Sequence, residues 1–196
     1  QSPHFMATYK ETQGRLAGVK LEQQFETEYL AWDGKDSGDP TAFDQFFGTW
    51  VASNLKDQHD TSVLKGLLPH IRRIHAQGYN RWQKDLNNIT YGRNLQATSA
   101  MFSQAADRHS LDGLRQPGGT NVEALHQDFM AERNKAVMQG VREDDVDKAY
   151  VEVVTTKAIE RRDPATLSLL DQKVPGRDYT YADSPMCLGK KAATEK

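Results

Sequence analysis

One stretch, residues 69–107, constrains the fold most strongly, because it has no proline after Pro69 and no cluster of turn-forming residues. Apolar or small residues recur along it at intervals of three, four or sums of these: Ile71, Ile74, Gly78, Trp82, Leu86, Ile89, Met101 and Ala105. This period predicts an α-helix with one buried stripe, on the order of 60 Å long. We therefore predict an all-α fold, an elongated multi-helix array organised around one long helix at about 69–107.

The polar side of this helix carries the main functional clue in the sequence. Five cations lie there, with Trp82 and Tyr91 among them: Arg72, Arg73, Arg81, Lys84 and Arg93. Such residues can contact phosphate backbones without sequence preference, or they can pair with acidic residues of the same or a neighbouring chain. The formal net charge of -2 favours pairing over direct contact with nucleic acid.

Charge is distributed unevenly along the chain. Residues 1–60 contain 5 Lys/Arg and 10 Asp/Glu, whereas residues 61–115 contain 8 Lys/Arg and 3 Asp/Glu. The mean hydropathy is -0.75, and no apolar run approaches the ~20 residues needed to cross a bilayer. Because Cys187 is the single cysteine, no internal disulfide can form.

Two helices are predicted before the long one. The first runs from Pro3 to about residue 32, with a narrow glycine-containing seam, and the second follows the start signal Asp39-Pro40 and has an aromatic face. The residues predicted to pack these helices together are Gly14, Gly18, Phe25, Trp32, Phe43, Phe47, Trp50 and Trp82. The glycines would allow another backbone to approach closely.

We interpret residues 1–196 as a single helical segment with four parts. These are an acidic helical pair at 1–60, the basic long helix at 61–115, further helices at 116–175 and an irregular tail at 176–196. A short helix at 62–68 is predicted to bend or restart at Pro69, and residues 107–119 are predicted to be a loop. Because the chain opens on Gln1 and not on methionine, we expect a fragment of a longer protein.

No pattern in the sequence predicts catalysis. His70 and His75 are five residues apart, not the four that place two imidazoles on one helix face, and Cys187 has no neighbouring base. Glycine-rich phosphate loops and the common hydrolase and metalloprotease motifs do not occur. We predict that the chain is not an enzyme and has no catalytic residue, cofactor or metal.

The order of signals resembles that of a known family. A glycine-spaced first helix, GRLAGVKLEQQFETEYLAW, precedes DPTAFDQFF, and VLKGLLPHIRRI leads into the long helix. A PGG loop and LSLLDQKVPGRDYTYADSP follow. This arrangement is similar to a segment of the internal virion proteins, or ejection proteins, of short-tailed bacteriophages (podoviruses).

The resemblance implies a function. Proteins of that family are packed inside the capsid, leave it ahead of the genome and assemble into a homo-oligomeric tubular conduit for DNA across the Gram-negative envelope. The expected partners are copies of this chain in a ring or tube, other internal virion proteins and double-stranded DNA in transit, and the host envelope only through the longer assembly. Alternatives are a tape-measure-like scaffolding module of a virion that binds protein partners, and an accessory segment of a murein-degrading or nucleic-acid-processing virion enzyme.

Overall fold

A computed structural model describes residues 2–187 and confirms the all-α fold with one long helix. The α-helices are α1 (Pro3–Ala31), α2 (Ala42–Leu55), α3 (Thr61–Gly113), α4 (Val122–Met138), α5 (Glu143–Arg161) and α6 (Pro164–Leu167). Two 3₁₀ turns lie at Asp33–Asp36 and Ser168–Asp171. Among residues 2–187 there is no β-strand, and only one isolated bridge, between Lys173 and Thr180, is formed.

The chain divides into two compact units, whereas the sequence analysis treats it as a single segment. Unit 1 comprises Gln1–Ile89 and unit 2 comprises Thr90–Lys196, so the division falls inside α3. The last part of the predicted irregular tail, residues 188–196, lies outside the described residues.

Unit 1 packs α1 and α2 against the first half of α3. Its core is largely aromatic, with Tyr29 and Phe43 fully buried and Trp82 1% exposed. Phe25 and Trp50 meet edge to face with ring centroids 5.1 Å apart, a favoured geometry for aromatic pairs. Burial of these large rings supplies most of the apolar surface that holds the unit together.

The start of α3 corrects the sequence interpretation. α3 begins at Thr61 and contains Pro69 in its interior, so of the two expected outcomes, a bend or a restart at Pro69, the restart is wrong. Proline removes one backbone hydrogen bond and strains the preceding turn. In this structure, that turn is braced by α1: a Cβ added to Gly66 would lie 2.1 Å from the carbonyl oxygen of Glu11, which shows how closely the two backbones approach.

The other end of α3 also differs from expectation. The predicted loop at 107–119 is helical as far as Gly113, because DRHSLDG carries no proline and is compatible with a helix. The buried register differs as well, since Met101 is 37% exposed and its neighbour Phe102 is fully buried. Phe102 packs on Phe129 with ring centroids 5.1 Å apart, so the core of unit 2 selects the buried face there.

Unit 2 is built on α4, α5 and the chain that follows α6. α5 begins with three acids and ends with Arg161, an order that suits the helix dipole. Tyr150 of α5 stacks on Tyr181 of the irregular segment, with centroids 4.1 Å apart. Val174 and Cys187 are also buried, so the described part of the tail belongs to this core.

One charged pair lies inside unit 2. Arg133 of α4 and Asp147 of α5 have side chains only 4% and 3% exposed, and their atoms Nε and Oδ1 are 2.8 Å apart. The hydroxyl of Tyr181 also donates to Asp147 Oδ1, at 3.1 Å. The hydrogen bond to Asp147 raises the pKa of Arg133, and burial raises the pKa of Tyr181, so both groups stay protonated.

Candidate functional site

The basic face of α3 meets the acids of α1 within unit 1. Arg73 Nη1 lies 3.5 Å from Glu22 Oε1, and the same oxygen is 3.1 Å from His70 Nδ1. Near the helix start, Lys10 of α1 donates to Asp60 at 2.6 Å, and this hydrogen bond lowers the pKa of Asp60. The contacts of Glu22 therefore pair the acidic block with the basic block inside one chain, whereas Lys10 and Asp60 both belong to residues 1–60.

Arg81 forms the most elaborate of these contacts. It donates to Glu26 Oε2, a hydrogen bond that raises the pKa of Arg81, and its guanidinium lies 4.6 Å from the centroid of the Tyr29 ring. The buried Tyr29 hydroxyl donates to Asp85 Oδ2 at 2.7 Å. Burial raises the pKa of Tyr29, with the Asp85 contact acting in the same direction. Arg81 is thus committed to its own chain.

The other predicted cations are placed differently. Arg72 and Lys84 are exposed, and within the described part of the chain no ion pair is formed by either. Arg93 is also exposed but belongs to unit 2. Of the five cations, Arg73 and Arg81 pair with acids of α1, Arg72 and Lys84 are exposed on unit 1, and Arg93 is exposed on unit 2.

The predicted packing residues all lie where α1, α2 and α3 meet in unit 1. A Cβ on Gly14 would be 2.2 Å from the carbonyl oxygen of Val63, and one on Gly18 would be 2.4 Å from the His70 ring. The aromatic members are buried except Trp32, which is half-buried: Phe25, Phe43, Phe47, Trp50 and Trp82. Sequence reasoning missed Gly66, whose single signal was its place three residues before Pro69.

A second apolar face on α1 was also missed. Five large side chains there are 48–67% exposed: Phe5, Tyr9, Leu16, Val19 and Leu30. They lie on the opposite side of the helix from the buried Gly14, Leu21 and Phe25, as the helical period of about 3.6 residues requires. We call this set the outer seam of α1. The signal was visible in the sequence as seven-residue spacing among Tyr9, Leu16 and Leu30.

An open groove of about 630 Å³ lies beside α2 in unit 1. Trp32 and Phe46 stack on one wall with centroids 4.5 Å apart, and Glu28 and Asp39 are the titratable residues among those that line it. The indole nitrogen of Trp50 is buried there without a hydrogen-bond partner among the described residues. Neither carboxylate forms a hydrogen bond with a base or nucleophile among the described residues that line the groove. The lining residues therefore do not indicate a particular reaction.

Residues 2–187 contain no group of three or more His, Cys, Asp or Glu side chains that could hold a metal ion. No helix within that range is long and apolar enough to span a bilayer.

Comparison with known proteins adds no relative. No protein-family model matches the chain, and neither a curated protein nor a solved structure matches it.

Proposed function

We propose that this chain is a non-catalytic structural segment of a bacteriophage internal virion protein, and that copies of it assemble into a conduit for genome delivery across the Gram-negative cell envelope. The outer seam of α1 is the observation that carries the proposal. α1 already buries one face in the core of unit 1, and the apolar side chains of its outer seam are exposed. An exposed apolar face of this kind suits a contact with another protein chain. The virion setting follows from the resemblance described above.

In this proposal the protein is stored in the capsid interior and acts in the periplasm and envelope of the host after infection. Its partners are copies of itself and other internal virion proteins. Of the predicted cations in unit 1, Arg72 and Lys84 are the two without an ion pair among the described residues, and they would contact the phosphates of double-stranded DNA without sequence preference. Arg73 and Arg81 contribute to the stability of unit 1 through Glu22 and Glu26.

The test is the mass distribution of the purified protein, alone and with lipid vesicles, followed by imaging of any large species. A closed ring or tube supports the conduit. A monomer or dimer under every condition would overturn it and favour the alternative, a helical scaffolding or interaction module of a virion. Hydrolysis of peptidoglycan by the protein would instead place the chain in a murein-degrading virion enzyme.

A further inference from the structure

The outer seam of α1 follows a heptad pattern. Tyr9, Leu16, Gln23 and Leu30 are seven residues apart, and so are Phe5, Thr12, Val19 and Glu26. These two sets alternate at intervals of four and three, which is the spacing of the contacting positions in two-stranded coiled coils. Only Glu26 in this pattern is charged, and it is held by Arg81 of α3. The pattern therefore matches a helix–helix contact, and its five large apolar side chains are 48–67% exposed in the described part of the chain.

We propose that a second copy of this chain occupies the outer seam, with the two α1 helices packed antiparallel about a two-fold axis. This assignment rests on the proposed self-assembly and names the surface of one pair; because a two-fold contact closes at two copies, a ring would use a second surface as well. An axis between Leu16 and Val19 places Leu16 of each copy against Val19 of the other. The same axis places Phe5 against Leu30 at both ends of the contact. A two-fold contact of this kind is self-complementary, because one patch meets its own copy.

The charges beside the seam select the antiparallel direction. Arg15 and Glu22 flank the seam on one side, and Lys20 flanks it on the other. In the antiparallel pair, Arg15 of each copy faces Glu22 of its neighbour, whereas a parallel pair would place Arg15 against Lys20 twice. Flanking charges of this kind set orientation in coiled coils.

Both members of the proposed charge pair are accessible. The Arg15 side chain is 63% exposed, with its Nη2 atom 3.0 Å from Glu11 Oε1 of the same helix, and the Glu22 side chain is 34% exposed. The contacts of Glu22 with His70 and Arg73 both use Oε1, so Oε2 is in neither contact. The five exposed apolar side chains offer on the order of 500 Å² per copy, a large part of the ~800 Å² per partner of a standard interface.

Sedimentation of the 196-residue chain over a range of concentrations tests the proposal. We expect a dimer whose dissociation constant rises by about tenfold or more in the Leu16→Glu/Val19→Glu variant, since charges would meet at the two-fold axis. Ile159→Glu is the matched control, an apolar helical residue 71% exposed in unit 2, and it should leave the dimer unchanged. Circular dichroism checks that each variant remains helical. A wild-type chain that stays monomeric, or a dimer indifferent to the double change, overturns the proposal.

Arg15→Glu tests the direction of packing. In the antiparallel pair the new glutamate faces Glu22 and weakens the dimer severalfold. In a parallel pair it would face Lys20 and tighten the dimer, which overturns the assigned geometry. The two proposals fail separately. A dimer that depends on Leu16 without any ring supports this surface and overturns the conduit, whereas a ring unaffected by the double variant supports the conduit and overturns this surface.

Discussion

The two units both bury aromatic cores, and both carry exposed ion pairs, but among the described residues an ion pair with both side chains buried is found in unit 2 alone. Unit 1 keeps ion pairs at its rim, where the Arg81 and Glu26 side chains are 38% and 53% exposed. Unit 2 buries Arg133 and Asp147 almost completely. Exposed pairs contribute about 0–1 kcal/mol, whereas breaking a buried pair costs about 3–5 kcal/mol because the remaining charge is left without a partner. Loss of one charged partner should therefore cost more free energy of unfolding at the Arg133–Asp147 pair of unit 2 than at the Arg81–Glu26 pair of unit 1.

The largest expected effect is that of Asp147→Ala. The substitution leaves the buried Arg133 guanidinium without its ion-pair partner and removes the acceptor of the Tyr181 hydroxyl. It should therefore destabilise unit 2 by about 3–5 kcal/mol. Amide hydrogen exchange in α4 and α5 measures this loss.

The matched control for Asp147→Ala is Asp144→Ala. The Asp144 side chain is 84% exposed and lies 3.8 Å from Arg177. Its removal should change stability by no more than about 0.5 kcal/mol. Equal losses for the two aspartates would contradict the contrast between buried and exposed pairs.

Gly14→Ala tests how much the close approach of the α1 and α3 backbones contributes to the stability of unit 1. The added methyl would stand 2.2 Å from the carbonyl oxygen of Val63, so α1 and α3 must separate, and we expect a loss of about 1–3 kcal/mol. Urea unfolding followed by tryptophan fluorescence reports on unit 1, because Trp32, Trp50 and Trp82, the three tryptophans of the chain, all lie in it.

Gly48→Ala provides the control of opposite sign. Gly48 lies inside α2, and a Cβ there would meet no atom within 4 Å. Alanine should therefore stabilise the helix by about 0.5–1 kcal/mol. If Gly14→Ala and Gly48→Ala changed the free energy of unfolding in the same direction, the close backbone approach at Gly14 would have no effect on stability that Gly48 lacks.

Asp60→Asn tests a rim contact through its pH dependence. Since the hydrogen bond from Lys10 lowers the pKa of Asp60 in the folded chain, its stabilisation is present above the unfolded value of about 4 and is lost as the pH falls through the folded pKa. Asparagine keeps the capping acceptor for the amides of Ser62 and Val63 but loses the charge.

Unfolding measured between about pH 5 and pH 2 should therefore be less pH-dependent in Asp60→Asn than in the wild type. The comparison variant is Asp57→Asn, which alters an exposed acid three residues earlier. A slope that both variants change equally would show that the Lys10 contact has no specific part in it.

The smallest effect on stability is expected for Arg72→Gln combined with Lys84→Gln. Both side chains are exposed, so the free energy of unfolding should stay within about 0.5 kcal/mol of the wild type. Retention on immobilised double-stranded DNA, measured at several salt concentrations, should fall if these cations contact phosphates. Unchanged retention would leave them as solvated charges.

Much of the helical framework was predictable from residue spacing. The buried seam of α1 and the span of α5 follow from the 3.6-residue period and from charge placement at the helix ends. The possible restart at Pro69 was wrong, because local propensity does not include the close contact between Gly66 and Glu11. The buried position of Phe102 instead of Met101 likewise depends on α4 and α5, which are distant in sequence.

The candidate site was less predictable than the fold. Residue type identified the cations of α3, but which of them pair with α1 depends on the tertiary contact that sets Glu22 and Glu26 against Arg73 and Arg81. The outer seam was missed for another reason. Apolar faces on opposite sides of one helix nearly cancel in a measure of amphipathicity, so α1 does not stand out as a helix with a second apolar face.

The contact between Gly66 and α1 also bears on the order of events during synthesis. Translation produces α1 before residues 61–68, at roughly 5–20 residues per second. The residues of α1 have therefore been synthesised before the proline-containing turn emerges. That turn of α3 can pack against α1 as soon as it is made. When the complete chain refolds from the unfolded state, all residues are present at once, so α1 and the first turns of α3 must meet by diffusion of the whole chain.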